Sequence, residues 1–223
     1  MISHRPSTPW RLRRQESFSC LSHLLGAVAA LVGAGVLALR SQTPALLAVS
    51  LVYGLSMTFM FSASALYHAF KTEEGGSGFW RRLDHVAIFF MIAGNYTPMC
   101  YVHLSGAWRA SILGVQWGLV LLGVVFKLFF IGAPRVVVTL IYLVMGWIIV
   151  IPHKPLLTSL PVQDLRLLML GGVAYSVGAI CYAVRRPNPV PGFFGFHEIF
   201  HVMVLVGAGI HYCAIFRILT TPS

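Results

Sequence analysis

The chain has 223 residues, 57% of them hydrophobic and only 10% charged, with a mean hydropathy of +0.80. Soluble domains carry about 25% charged residues, so this composition excludes an ordinary soluble domain and reads as a polytopic membrane protein. Sixteen Lys and Arg against six acids give a balance of +10, but the bases sit at the ends of apolar runs. There they act as topology signals and contacts to anionic lipid rather than as a nucleic-acid surface.

In chain order, residues 1–17 form a basic N-terminal segment with Arg5, Arg11, Arg13 and Arg14. It has no separate apolar core followed by a small-residue cleavage site, so no removable signal peptide is expected. Residues 18–219 read as one all-α membrane domain. Crossing the hydrocarbon core takes about 20 apolar residues per helix. Seven windows approach or exceed that length: 18–39, 45–70, 81–102, 108–131, 135–152, 163–184 and 195–218. Breakers separate them: Arg40 to Pro44, the polar Lys71 to Gly78 stretch, the Gly106 region, Gly132-Ala133-Pro134, Pro152 to Pro161, and Arg185 to Gly192. The fifth window is short and ends at Pro152. Cys20, Cys100, Cys181 and Cys213 are scattered singly and read as small hydrophobes, not as a disulfide framework.

Seven spans place the two termini on opposite sides of the membrane. On the N-terminal side lie Arg5, Arg11, Arg13, Arg14, Lys71, Arg81, Arg82, Lys127, Arg135, Arg185 and Arg186. The other side holds Arg40, Arg109, Lys154, Arg166 and Arg217. That split of 11 to 5 predicts a cytoplasmic N-terminus, an outside C-terminus and residence in the cell inner membrane. On this topology the rare intramembrane polar residues collect at one depth. Ser64 and His68 end the second span, Asp84 and His85 begin the third, and His197, Glu198 and His201 begin the seventh. Glu16 and His23, seven residues apart and nearly on one face, begin the first.

The pair His197 and His201 lies one helical turn apart, with Cβ atoms about 5–6 Å from each other. With His68 it offers three neutral imidazoles, the ligand number of a catalytic zinc that keeps an exchangeable water. Asp84 is placed to act as general base toward that water, and Ser64, one turn before His68, to orient it or stabilise an oxyanion. Such a site suits hydrolysis of an amide or ester in a lipid-facing cavity.

The pattern Ser64-x3-His68, Leu83-Asp84-His85 leading to Ala93-Gly94-Asn95-Tyr96-Thr97-Pro98, and His197-x3-His201 resembles the hemolysin III family, the bacterial branch of the progestin and adipoQ receptor superfamily. The resemblance covers nearly the whole chain. It implies a seven-helix fold with a cytoplasmic N-terminus, a zinc ion near the inner leaflet held by His68, His197 and His201, and Asp84 and Ser64 beside it. Eukaryotic relatives are associated with hormone reception and hydrolysis of ceramide-like amides. The bacterial family name implies cytolysis, and a role in membrane-lipid homeostasis is also proposed. The long N-terminal extension of the hormone receptors is missing here, so hormone binding is not carried over.

Rival readings exist for the same residues. His197-Glu198-Ile199-Phe200-His201 spells the H-E-x-x-H of zinc proteases, in which the Glu is the general base, although the motif falls in the last span and receptor-type members of the resembled family carry Gln at that position. Gly75-Gly76-Ser77-Gly78 resembles a rhomboid nucleophile motif but sits in a polar loop beside Glu73 and Glu74, where it reads as a linker. Haem would need facing His ligands without the Ser and Asp company. Retinal would need a lysine in the seventh span. His85 lies about 100° around its helix from Asp84 and is expected to point elsewhere. His211, about 15 Å along the helix from His201, is expected to pack or hydrogen-bond between helices, and Glu16 and His23 to support the site rather than ligate. The preferred reading is a zinc-dependent hydrolase of lipid amides or esters with membrane lipids as partners. Its alternative is a non-enzymatic sensor or cytolytic protein with structural zinc.

Overall fold

The computed structural model describes residues 14–71 and 78–221. The basic residues up to Arg13, the acids Glu73 and Glu74, and Gly75 to Ser77 of the glycine-serine motif lie outside them. The described residues form α1 (Arg14–Arg40), α2 (Pro44–Phe70), α3 (Gly78–His103), α4 (Gly106–Phe129), α5 (Arg135–Trp147), α6 (His153–Ser159), α7 (Val162–Val184) and α8 (Phe196–Thr220). Local signals set several of these boundaries. Thr43 caps α2, its hydroxyl accepting from the Leu46 amide at 3.2 Å, and Pro44 occupies the first helical position, where its missing N–H is not needed. At the other end of α7, Arg185 takes the left-handed conformation with φ 58°.

Five helices are long and apolar enough to cross a membrane: α1, α2, α4, α7 and α8. A sixth candidate is a broken one. α5 runs through the 3-10 turn Ile148–Val150 and meets α6 at a 57° bend. The stretch from Pro152 to Pro161, expected as a plain loop, therefore contains a helix. Pro152 precedes that helix and Pro155 stands in its first turn, positions where proline removes no helical hydrogen bond. The break is held open by side chains from other helices: the Tyr96 hydroxyl donates to Gly146 O at 2.7 Å and accepts from Ile149 N at 2.8 Å, while Gln116 Nε2 donates to Met145 O at 2.9 Å. Such partners satisfy the backbone groups that a broken helix frees. The seventh expected span corresponds to α3, which has 26 residues but falls outside the six. Arg81, Arg82, Asp84 and His85 fill its first turns, and Asn95 and Thr97 interrupt its apolar second half.

The helices close on one another in the order α1, α2, α3, α5, α7, α8 and back to α1, with α4 flanking α3. Small residues allow the approach, as at many helix contacts in membranes. A Cβ on Gly54 of α2 would stand 2.2 Å from the Ala34 Cβ of α1, and one on Gly178 of α7 would stand 2.7 Å from the Met203 Cβ of α8. Asp164 at the start of α7 takes a 2.5 Å hydrogen bond from Arg217 Nε near the end of α8, which fastens the far end of that pair. Polarity is inverted relative to a soluble protein. Leu25, Leu39, Leu121 and Phe129 are exposed on the outer faces, whereas Ser19, His23, Ser64, His68, Gln116 and His201 are buried.

Candidate metal centre

Three ring nitrogens converge where α2 ends and α8 begins. His197 Nε2 lies 3.3 Å from His68 Nε2 and 3.2 Å from His201 Nε2, and the ligand atoms of all three residues fall within 4.8 Å of one another. Two nitrogens each about 2.05 Å from a shared ion at the tetrahedral angle would stand roughly 3.3 Å apart, so both short separations fit a common zinc-sized cation. The helix explains the geometry: residues 197 and 201 share a face of α8, and the α2 terminus brings His68 opposite them. His68 and His201 are each 1% exposed. Burying bare imidazoles side by side, nitrogen toward nitrogen, is hard to sustain without something for the lone pairs to hold.

The charged residue behind His68 was only partly legible from spacing. Glu16, in the first turn of α1, places Oε2 2.6 Å from His68 Nδ1, and Lys71 Nζ donates to Oε1 of the same carboxylate at 2.5 Å. With its Nδ1–H directed to a carboxylate, an imidazole presents its Nε2 lone pair to a metal, the usual arrangement around metal-bound His. His23, one face along α1, stacks on His201 with ring centroids 3.9 Å apart. Glu16 and His23 thus support the triad. No pairing rule predicts the contact between Glu16 and His68, because 52 residues separate them.

Ser64, one turn before His68, and Asp84 both line the cavity that reaches the His cluster, and the Ser64 hydroxyl faces the Asp84 carboxylate. His85 departs from expectation. It also lines the cavity, its Nδ1 donates to Arg81 O at 2.7 Å, and it lies 3.5 Å from Asp84 Oδ2. Being adjacent in sequence put it 100° away around the helix, but the long imidazole swings back over the preceding turn, as helical side chains do. Glu198 is directed away from any role at the metal: its Oε2 accepts the Gly195 amide at 2.8 Å and so caps α8. The protease arrangement, which needs that carboxylate beside the ion, is not formed. His211 Nε2 bonds Leu168 O at 3.0 Å across to α7, where Gly171 leaves room for its ring.

A cavity of about 710 Å³ extends from the His cluster between α2, α3, α5, α7 and α8. Its wall runs from His68 and Asp84 at one end to Leu156 and Leu160, at the α6 end. On α3 alone it spans Asp84 to Met99, about 22 Å at 1.5 Å per residue. Most of that wall is aliphatic or aromatic, so the space suits an acyl chain rather than a polar solute.

An inside-out helical bundle with three histidines gathered at one end of a long apolar cavity defines a class: polytopic membrane proteins with a candidate metal site among their helices. Comparison with known sequences narrows the class. The family model described as Haemolysin-III related matches residues 12–212, and the chain belongs to that family, within the progestin and adipoQ receptor superfamily. It is 33% identical to Hemolysin-3 of Bacillus cereus over 217 residues, covering 94% of each chain. It is 37% identical to a Hemolysin-3 homolog of Bacillus subtilis over 172 residues, 77% of this chain and 78% of that one. Similarity extends to a heptahelical transmembrane protein of Oryza sativa, ADIPOR3, at 32% over 155 residues, 59% of this chain and 36% of the other.

Proposed function

We propose that this protein is a seven-span inner-membrane hydrolase that uses zinc to cleave lipid amides or esters and so adjusts membrane-lipid composition. The observation that carries the reading is the convergence of the His68, His197 and His201 Nε2 atoms at the closed end of an apolar cavity also lined by Asp84 and Ser64. Bound zinc supplies a polarised carbonyl and a water acidified toward a pKa of about 7. The remaining work belongs to the chain. Glu16 fixes the His68 tautomer, Asp84 holds an attacking water and takes its proton, and Ser64 donates to the developing oxyanion. The apolar walls seat the acyl portion and exclude bulk water. Supporting seven spans are the length of α3, its packing between α2 and α4, and the word heptahelical in the name of the rice relative. The 11 to 5 split of basic residues supports a cytoplasmic N-terminus, which puts the zinc near the inner leaflet.

The printed name of the Bacillus relatives favours a second reading, a lytic or sensing protein with structural zinc. A structural site closes on four protein ligands, whereas the group formed among the described residues has three. Metal analysis and turnover separate the two. Purified wild-type protein is expected to hold about one zinc per chain, and His68→Ala or His197→Ala to lose it; unchanged zinc in either variant removes the site. Asp84→Asn is expected to keep zinc and fold while hydrolysis of a responsive lipid falls at least about 100-fold. Undiminished turnover would exclude Asp84 as the base.

A further inference from the structure

Within the same cavity lies a positive charge that nothing among the described residues balances. Lys127, in the last turn of α4, is 1% exposed and lines the cavity wall. The described carboxylates are engaged elsewhere: Glu16 with His68 and Lys71, Asp84 beside His85, Asp164 with Arg217, and Glu198 at the Gly195 amide. The contact Lys127 does make is to the Phe126 ring, with Nζ 5.4 Å from the centroid. Its electrostatic neighbour is Arg81, of the same sign, which lines the cavity too. A lysine serving only to face the surrounding headgroups would lie on the outer surface, as Arg40 and Arg186 do. A buried charge with no partner is expensive to hold, and in a membrane protein it marks a place where a ligand or a pathway supplies the counter-charge.

Arg135 extends this patch toward the histidines. From the first turn of α5 its guanidinium sits 4.4 Å from the Tyr182 ring centroid and 5.3 Å from that of Phe196, and Nη1 donates to Tyr182 O at 3.3 Å. Guanidinium carries five donors in a fork suited to phosphate and carboxylate, so most remain free for a ligand. On the same Tyr182 ring, His197 lies 5.7 Å away, centroid to centroid. Thus one aromatic ring separates the guanidinium from the metal cluster. Beyond them the wall turns apolar, with Ile88, Ile92, Leu143, Leu165, Leu168 and Met169.

We propose that Lys127 and Arg135 form a subsite for an anionic group, a phosphate or a carboxylate, carried by a lipid whose acyl chain fills the apolar length of the cavity. This rests on the hydrolase reading for its role in turnover, and it names the substrate class of that site as an acidic lipid. Neutral lipids lack the group that neutralises Lys127, and free anions lack the chain that the apolar wall would bury.

The test is binding by the full-length protein in detergent. The probes are lysophosphatidic acid, lysophosphatidylcholine of the same chain length, and inorganic phosphate. Wild-type protein is expected to bind the anionic lysolipid at least ten-fold more tightly than the zwitterionic one, with inorganic phosphate at least 100-fold weaker than either. Lys127→Met and Arg135→Gln are each expected to erase the preference at wild-type zinc content, and Lys127→Met to melt no lower than wild type without lipid. Because Arg135 is only half-buried, its variant keeps the test decisive if Lys127→Met fails to fold. Equal binding of the two lysolipids by wild type, or a preference that survives in the folded variants, overturns the subsite. Phosphate binding as tightly as the lysolipid overturns the lipid assignment. A preserved preference with no hydrolysis of any lipid would sink the hydrolase reading and leave the subsite standing, whereas hydrolysis without the preference would do the reverse.

Discussion

His68 reaches the cluster from the last turn of α2, where helix ends fray and a side chain has freedom to turn away. Glu16 removes that freedom. Its carboxylate takes the Nδ1 side of the imidazole, and Lys71, just past the end of α2, holds the second oxygen. Removing such a partner behind a metal-bound His typically costs 10–100-fold in metal affinity. Glu16→Ala is therefore expected to weaken zinc binding by about that factor. Glu16→Gln, which can still accept from Nδ1–H but carries no charge, is expected to fall between the variant and wild type. Competition against a chelator of known affinity measures all three. Equal affinities across the series would mean that the carboxylate shapes the helix ends and leaves the metal untouched. Spacing made the triad legible, because a membrane helix has few reasons to hold two His one turn apart. It could not make the Glu16 contact legible, because that contact depends on where the starts of α1 and α8 and the end of α2 meet. Glu198 teaches the complementary lesson: a motif match assigned it a base's role, and a three-residue reach back to Gly195 gives it a cap's.

At the scale of elements, the site depends on how closely α1 and α2 pack, since α1 carries Glu16 and His23 and α2 carries Ser64 and His68. Gly54 meets Ala34 where a Cβ would fall 2.2 Å from one side-chain atom and 2.9 Å from the Ala34 Cα, so no rotamer change relieves the clash. Gly54→Val must push the helices apart, and overpacking of this kind costs about 1–3 kcal/mol. A lowered melting temperature with reduced zinc occupancy is the expected result; unchanged values for both would show that the α1 and α2 interface does not set the distance between Glu16 and His68. The apolar windows made α1, α2, α4, α7 and α8 readable in advance, because a run of 20 or more apolar residues has few other fates. α6 was not readable, since its prolines look like breakers until the first-turn position that tolerates them is known. The break at Trp147 to Val150 was likewise hidden, because it is stabilised by Tyr96 and Gln116 from distant helices rather than by local sequence.

For the whole molecule the open quantity is the number of crossings, and it turns on α3. This helix has the length to span, and α2 and α4 both pack along it, while its charged first turns lower its average hydropathy below that of its neighbours. Those same turns carry Asp84 and His85 to the His cluster, so the composition that obscures the span is the composition that equips the site. With α3 and the bent α5–α6 pair both counted as crossings, the termini fall on opposite faces. With either left out, they share one. Fusing a fluorescent protein that matures only in the cytoplasm and, separately, alkaline phosphatase, which is active only outside, decides between these. An N-terminal fluorescent fusion is expected to glow and a C-terminal phosphatase fusion to be active. Fluorescence from both terminal fusions would instead mean an even number of crossings. Lys127 and Arg135, brought to one cavity wall, gain their meaning from the same count, because only with a cytoplasmic N-terminus does that wall face the leaflet where anionic headgroups are concentrated.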